Sequence, residues 1–286
     1  MENYLYQGLV GLTYSMYLWL LAAGLTIAFG VLGVLNFSHG ALFMLGAYLA
    51  FTIYGVFGVN FWLAVLLSAG GVALGGAVIE RFFFRHIYRL ELPFQLLLTY
   101  GLVLVIDDTV KIFWGGAFLI PPIPPLLDGS VVLFGRHFPI YNLFILAVGM
   151  LVAILIWLLF DKTWWGRMVR AAAWSREMGA TLGMNVPRVF TAVFMFAAAL
   201  AAFGGALGTP MRAVSPGLGI AMIVQAFIVT VIGGLGNLRG AFVGAIIVGM
   251  LTTYSTMLFP QFELFLPYVV MAAVLILKPQ GLLGGR

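Results

Sequence analysis

The sequence predicts an all-α fold: a polytopic helical membrane protein of about eight or nine spans, with broken or re-entrant segments. Three observations predict it. Of 286 residues, 63% are hydrophobic and 8% are charged, against roughly 25% charge in a soluble domain. Apolar runs approaching the ~20 residues needed to cross a bilayer core recur from end to end. The longest polar interruption, residues 161–189, carries Lys162, Arg167, Arg170, Arg176 and Arg188 against only Asp161 and Glu177, the basic excess of a cytoplasmic connector. The runs leave no room for a soluble domain, so residues 1–286 are expected to form one transmembrane unit.

Taken in order, candidate spans lie near residues 8–30, 40–58, 61–80, 93–113, 141–160, 190–210, 219–235, 240–258 and 263–278. Glu2 is the only charged side chain before the first run, so a cleaved leader is not expected and the N-terminus is placed outside. Nine crossings then put Arg81, Arg85, Arg89, the five basic residues of the central stretch, Arg239, Lys278 and Arg286 inside, with a cytoplasmic C-terminus. Only Lys111, Arg136 and Arg212 fall outside, the asymmetry expected of a correct orientation. The external connector, residues 114–139, contains Pro-Pro-Ile-Pro-Pro at 121–125, which disfavours helix and holds extended chain. The seventh run is short and ends in glycines, so it reads either as a span or as a re-entrant segment.

Chemistry is limited by what is present. The chain has no cysteine and three scattered histidines, which gives no zinc-ligand pattern. The net charge of +5 sits beside spans and not on one polar face, so topology explains it and nucleic acid is not implied. Asn36-Phe37-Ser38-His39-Gly40 only approaches a nucleophile elbow, and Gly234-Leu235-Gly236-Asn237-Leu238-Arg239-Gly240 only approaches a dinucleotide fingerprint. No P-loop occurs. Catalytic residues, metal and cofactor are therefore not expected. Asp107 and Asp108 precede Lys111 by four and three residues, a spacing that pairs opposite charges on one helical face; a proton or ion relay is the sharper alternative.

Residues 31–43 and 231–243 align without a gap, sharing Val, Gly, Leu, Gly and Ala at 31/231, 33/233, 35/235, 40/240 and 41/241. Both are polar or glycine-rich breaks facing the same side, as in a parallel repeat. Interrupted helices at matching positions point to a transport site, which makes Asn36, Ser38, His39, Gly40, Gly236, Asn237 and Gly240 candidates for the translocation path or a cytoplasmic gate; ordinary inter-span turns are the alternative. Small residues at four-residue spacing, Gly71 and Gly75, Gly204 and Gly208, then Gly236, Gly240 and Gly244, predict close helix packing. Within the central stretch, residues 171–184 read as a short helix-turn, suited to a groove on another protein or serving only as a basic connector.

Residues 24–50 (GLTIAFGVLGVLNFSHGALFMLGAYLA), the central stretch with its following span, and residues 231–249 (VIGGLGNLRGAFVGAIIVG) with the closing KPQGLLG resemble the membrane permease subunits of ABC importers for branched-chain and other hydrophobic amino acids. The resemblance implies a permease that works with a second, similar permease, two cytoplasmic ATPase subunits, an external solute-binding protein and a small-molecule solute. It also implies a coupling loop of the pattern Glu-Ala-Ala, three residues, Gly. Here Glu177 and Gly183 match, while Met178 and Gly179 replace the alanines, so Arg176, Glu177, Gly179 and Gly183 are the expected ATPase-coupling residues. The solute could be a leucine-type amino acid, urea, a short amide or a carboxylate. A stand-alone secondary carrier or channel using Asp107 and Asp108 is the competing reading.

Overall fold

The computed structural model describes residues 2–88 and 90–284; the inward placements of Arg89 and Arg286 lie outside the described residues. Helix α1 (Glu2–Leu32) is the mast of the bundle, 31 residues and about 46 Å long. It is apolar all round, and residues 15–28 are buried on every face, as such a helix must be inside a bundle. It stops where Gly33 turns to φ +70 and returns its N–H to the Phe29 carbonyl at 2.9 Å, a glycine C-cap.

Helix α2 (Ser38–Ala50) runs on through a π-helical turn, Phe51–Val56. Helix α3 (Phe61–Ile79), capped by the Asn60 side chain, continues through a second π turn, Glu80–Phe84, into the single turn α4 (Arg85–Ile87). Helix α5 (Leu92–Trp114) starts with Pro93 in its first turn. Residues 121–124 are non-helical, as the prolines require. Beyond them the connector, expected to be external, departs from the all-helical expectation and forms a small antiparallel hairpin, β1 (Ser130–Leu133) with β2 (Arg136–Pro139). Leu119 forms an isolated bridge with Val214, the two exchanging N–H···O bonds of 2.9 and 2.8 Å.

Helix α6 (Ile140–Lys162) leads to the central stretch. Its expected helix-turn divides at Ser175 into α7 (Trp164–Trp174) and α8 (Arg176–Thr181), because Thr163 and Ser175 each cap a new helix start. The remaining helices are α9 (Val186–Gly208), α10 (Leu218–Gly233), α11 (Leu238–Leu258) and α12 (Leu266–Leu277). All nine expected runs are helical. Six of these helices are long and apolar enough, by length and composition, to cross a membrane. Helix α10, with 16 residues, rises about 24 Å and falls short of the ~30 Å hydrocarbon core.

Glycines decide how closely the helices approach. Backbone of α1 lies against the break before α11 at Gly30–Gly236 and against α11 at Ser15–Gly249, α2 lies against α9 at Phe43–Gly205, and α10 lies against α11 at Gly233–Gly240. Gly204 and Gly208 pack on Leu20 and Tyr17 of α1, as their spacing predicts, whereas Gly71 and Gly75 face outward from α3.

The bundle has two distinct ends. At one, Tyr6 donates to the His137 carbonyl of the hairpin and Tyr254 to the Tyr4 carbonyl. At the other, Arg176 reaches the Leu32 carbonyl and the Leu282 N–H bonds the Ile232 carbonyl. Arg85, Arg170, Arg176, Arg239 and Lys278 gather at this second end, while Lys111, Arg136 and Arg212 lie toward the hairpin end.

Candidate functional site

A cavity of about 670 Å³ opens between α1, α10, α11 and α12 in the hairpin half of the bundle. Its size falls within the roughly 300–1,000 Å³ of small-molecule sites. Arg212 enters it from the connector between α9 and α10, its guanidinium 5.1 Å from the ring centre of Tyr14 and 5.3 Å from that of Tyr17. Tyr14 donates to Gln225 Oε1 at 2.8 Å, so one side chain is shared between α10 and the cation. Glu263, Thr252 and Thr256 add polar groups to the wall, and Val224, Ile228 and Val248 add apolar ones. Two contacts fix the connector that presents Arg212: the Leu119–Val214 bridge, and the carboxylate of Asp107, which accepts the Gly217 N–H at 2.7 Å.

That contact, with the Lys111–Asp107 and Lys111–Asp108 ion pairs at 2.7 and 3.0 Å, engages the charges of α5 locally, as their spacing predicts. The sequence gave no reason to single out Arg212. Its partners are distant along the chain, and tyrosines within an apolar run look like span residues.

The first break lies elsewhere. Asn36, Ser38, His39 and Gly40 are buried where α2 starts, level with the middle of α1: the His39 ring nitrogen Nε2 is 3.2 Å from the Leu21 carbonyl oxygen. Ser38 donates to Asn36 Oδ1 at 2.6 Å. A Cβ on Gly40 would collide with the Gly219 carbonyl oxygen at the start of α10. These four residues are surrounded by packed protein and do not border the large cavity. Residues 234–237 make the tighter second break. Gly236, at φ +80, lies against Gly30, Asn237 caps α11 by accepting the Gly240 N–H at 3.0 Å, and Gly240 packs on Gly233.

At the end bearing α7 and α8, the sequence-predicted coupling residues divide by role. Glu177 is exposed, and Gly183 is exposed at φ +80 with open space around it. Gly179 is buried against Met184. Around them Trp174, Met178 and Leu182 are exposed apolar side chains, at 89%, 61% and 75%, more than a basic connector needs. Arg176 faces inward instead. It donates to the Leu32 carbonyl at 2.7 Å and lies over the rings of Tyr88 and Phe190. The structure thus joins the expected coupling stretch to the last residue of α1, directly before the first break.

Beneath Arg176 sits Glu80, fully buried, which spacing rules could not distinguish within its apolar run. It accepts from Tyr88 at 2.9 Å and Thr191 at 2.6 Å and lies 3.6 Å from Arg85. Burial, reinforced by the adjacent Glu80 carboxylate, pushes the Tyr88 phenol well above its ordinary range. It therefore remains a donor, and α3 and α9 are locked together beside the loop. Asp161 adds a second tie, pairing with Arg239 at 3.0 Å and Arg170 at 3.7 Å.

A family model described as branched-chain amino acid transport system / permease component matches residues 9–277. The chain is 28% identical over 298 residues to the high-affinity branched-chain amino acid transport system permease protein BraD of Pseudomonas aeruginosa, covering 99% of this chain and 96% of that one. It is 28% identical over 301 residues to LivH of Escherichia coli, a permease protein of the same description, covering 99% and 97%. PsaBC from Streptococcus pneumoniae, solved in complex with Fab, aligns with a TM-score of 0.53 at 11% identity, over 95% of this chain and 91% of that one, a likeness of fold.

Proposed function

The chain belongs to the branched-chain amino acid transport permease family, and from that premise we propose that its cargo is a branched-chain or similarly hydrophobic amino acid, moved into the cytoplasm by alternating access. It is the multi-pass membrane subunit of an ATP-driven importer. ATP is hydrolysed on two separate cytoplasmic subunits, an external binding protein delivers the solute, and a second, similar permease completes the path. The observation that carries the reading is the family match over residues 9–277. The test is uptake of radiolabelled L-leucine into proteoliposomes holding the assembled transporter. Uptake should require both the binding protein and ATP hydrolysis; uptake by this subunit alone without ATP would favour the stand-alone carrier.

In this reading the end bearing α7 and α8 is cytoplasmic, the hairpin and N-terminus are external, and residues 1–286 act as one transmembrane permease domain. The basic residues gathered at the α7–α8 end support it. Glu177, Gly179 and Gly183, flanked by exposed Met178 and Leu182, form the surface for an ATPase groove, and Arg176 carries its displacement to Leu32. Residues 36–40 act as a gate on the translocation path, held level with the middle of α1, and Gly236, Asn237 and Gly240 brace a second bend.

Two buried polar atoms in the first break, Asn36 Nδ2 and His39 Nδ1, find no partner among the described residues. Each such group costs about 1–3 kcal/mol while dry, so water entering an opened break would recover part of that cost. A cysteine placed at Ser38, which is fully buried here, should react with a water-soluble thiol reagent in one nucleotide state of the assembled transporter and not in the other. Equal labelling in both states would return the stretch to a plain turn.

A further inference from the structure

We propose that Arg212 and Glu263 form a zwitterion subsite in the wall of the large cavity, Arg212 taking the solute's α-carboxylate and Glu263 its ammonium group; this rests on the amino-acid import reading. Both residues line the cavity. Among the described residues, no Asp or Glu carboxylate stands at ion-pair distance from Arg212, and no basic group stands there from Glu263. The nearest company of Arg212 is two aromatic faces and the Met222 sulfur at 3.6 Å. Aromatic faces stabilise a cation modestly; Met222 and Tyr14 engage part of the guanidinium, and its five N–H donors leave others for a ligand.

An ionisable group within a membrane bundle is expensive and ordinarily has a counter-charge. The two buried carboxylates described above each have one: Glu80 has Arg85 and Asp107 has Lys111. Arg212 and Glu263 depart from that pattern, and both line the same cavity. Opposite charges held apart, with an apolar surface of Val224, Ile228 and Val248 between the helices, suit a molecule with a carboxylate, an ammonium and an aliphatic side chain. A guanidinium offers a carboxylate paired, directional donors, among the stronger polar contacts available.

The chain has no cysteine, so Thr252→Cys puts the sole thiol of this subunit in the cavity wall. The experiment follows alkylation of that thiol by a small maleimide in the assembled transporter in nanodiscs, without binding protein. Three probes are used: L-leucine, 4-methylpentanoate, which lacks the amine, and 3-methylbutylamine, which lacks the carboxylate. Leucine should slow alkylation at the lowest concentration. Arg212→Gln should raise the half-protecting concentration of 4-methylpentanoate about tenfold and leave that of 3-methylbutylamine unchanged, while Glu263→Gln should do the reverse.

This crossed pattern cannot arise from general loss of folding. Equal losses for both probes in each variant, or no loss in either, overturn the subsite. Where Arg212→Gln does not assemble, Arg212→Lys replaces it, with a smaller rise confined to the carboxylate probe expected and an unchanged value overturning the proposal. Leucine uptake by the unmodified transporter keeps the two readings apart. Uptake without the crossed pattern removes the subsite and keeps the import reading, whereas the crossed pattern without leucine uptake keeps the subsite and removes the substrate assignment.

Discussion

The first break and the large cavity both place polar side chains inside an apolar bundle, yet they use them in opposite ways. At the break, Ser38 and Asn36 bond each other and His39 bonds the Leu21 carbonyl, all enclosed by packed helices. In the cavity, Arg212, Glu263 and the threonines face open volume. Groups of the first kind tie helices together; those of the second kind border space of small-molecule size. A polar residue in a transmembrane sequence therefore does not by itself mark a binding site, because what separates the two cases is whether the side chain is enclosed by packed helices or borders open volume.

The sharpest way to break this comparison is at Gly40. Even an alanine there would strike the Gly219 carbonyl and approach Ile223 Cβ at 2.7 Å, forcing α2 and α10 apart. Overpacking of this kind costs about 1–3 kcal/mol or more, so Gly40→Ala should abolish uptake and lower the melting temperature of the purified transporter. Gly33→Ala is the control. It meets open space and carries only the strain of φ +70, about 1–2 kcal/mol. Equal melting temperatures for the two variants would mean that the break is not tightly packed.

The next largest effect is expected at Asp107, whose carboxylate receives the Gly217 N–H and so holds the connector of Arg212. Asp107→Ala should destabilise the protein by about 1.5–3 kcal/mol, the range for a hydrogen bond to a charged group, and reduce uptake. Asp108, whose side chain is 71% exposed, should tolerate alanine with no change in melting temperature or uptake. Loss of uptake in Asp108→Ala with stability intact would revive a carrier mechanism based on these carboxylates.

The smallest change in stability, with a selective change in function, is expected at Gly183. Leucine there meets open space and bears only the cost of φ +80, about 1–2 kcal/mol. ATP hydrolysis by the assembled transporter should continue while leucine uptake falls. Undiminished uptake would remove Gly183 from the coupling surface.

Much of the fold was legible because hydropathy reports burial and length directly. All nine runs became helices, glycine ended α1 and α10, and the i, i+4 spacing of Asp107 and Lys111 produced their ion pair. The hairpin at 130–139 escaped because the prolines before it dominate the local signal. Spacing also identifies a helix face but not its neighbour, which is why Gly204 packs on α1 and Gly71 faces outward.

The cavity was illegible for a related reason. Tyr14, Arg212, Gln225 and Glu263 come from four separate parts of the chain, and only packing brings them together. In the sequence Arg212 counts as one positive charge near a membrane surface. Glu80 is hidden in the same way, since the hydroxyls of Tyr88 and Thr191 that make its burial tolerable are supplied by the α4–α5 connector and by α9.

The bridge between Leu119 and Val214 has a mechanical consequence. Two backbone hydrogen bonds tie the proline-containing connector before the hairpin to the segment carrying Arg212, two residues from the guanidinium's own Cα. Such a tie has little slack. A body that grips the connector near Leu119 and shifts it by a given distance shifts the cavity wall by nearly the same distance, instead of losing the motion along a slack length of chain. A grip on the connector and the shape of the cavity are then one degree of freedom, its stiffness set by a pair of peptide groups that only a proline at 119 or 214 would interrupt.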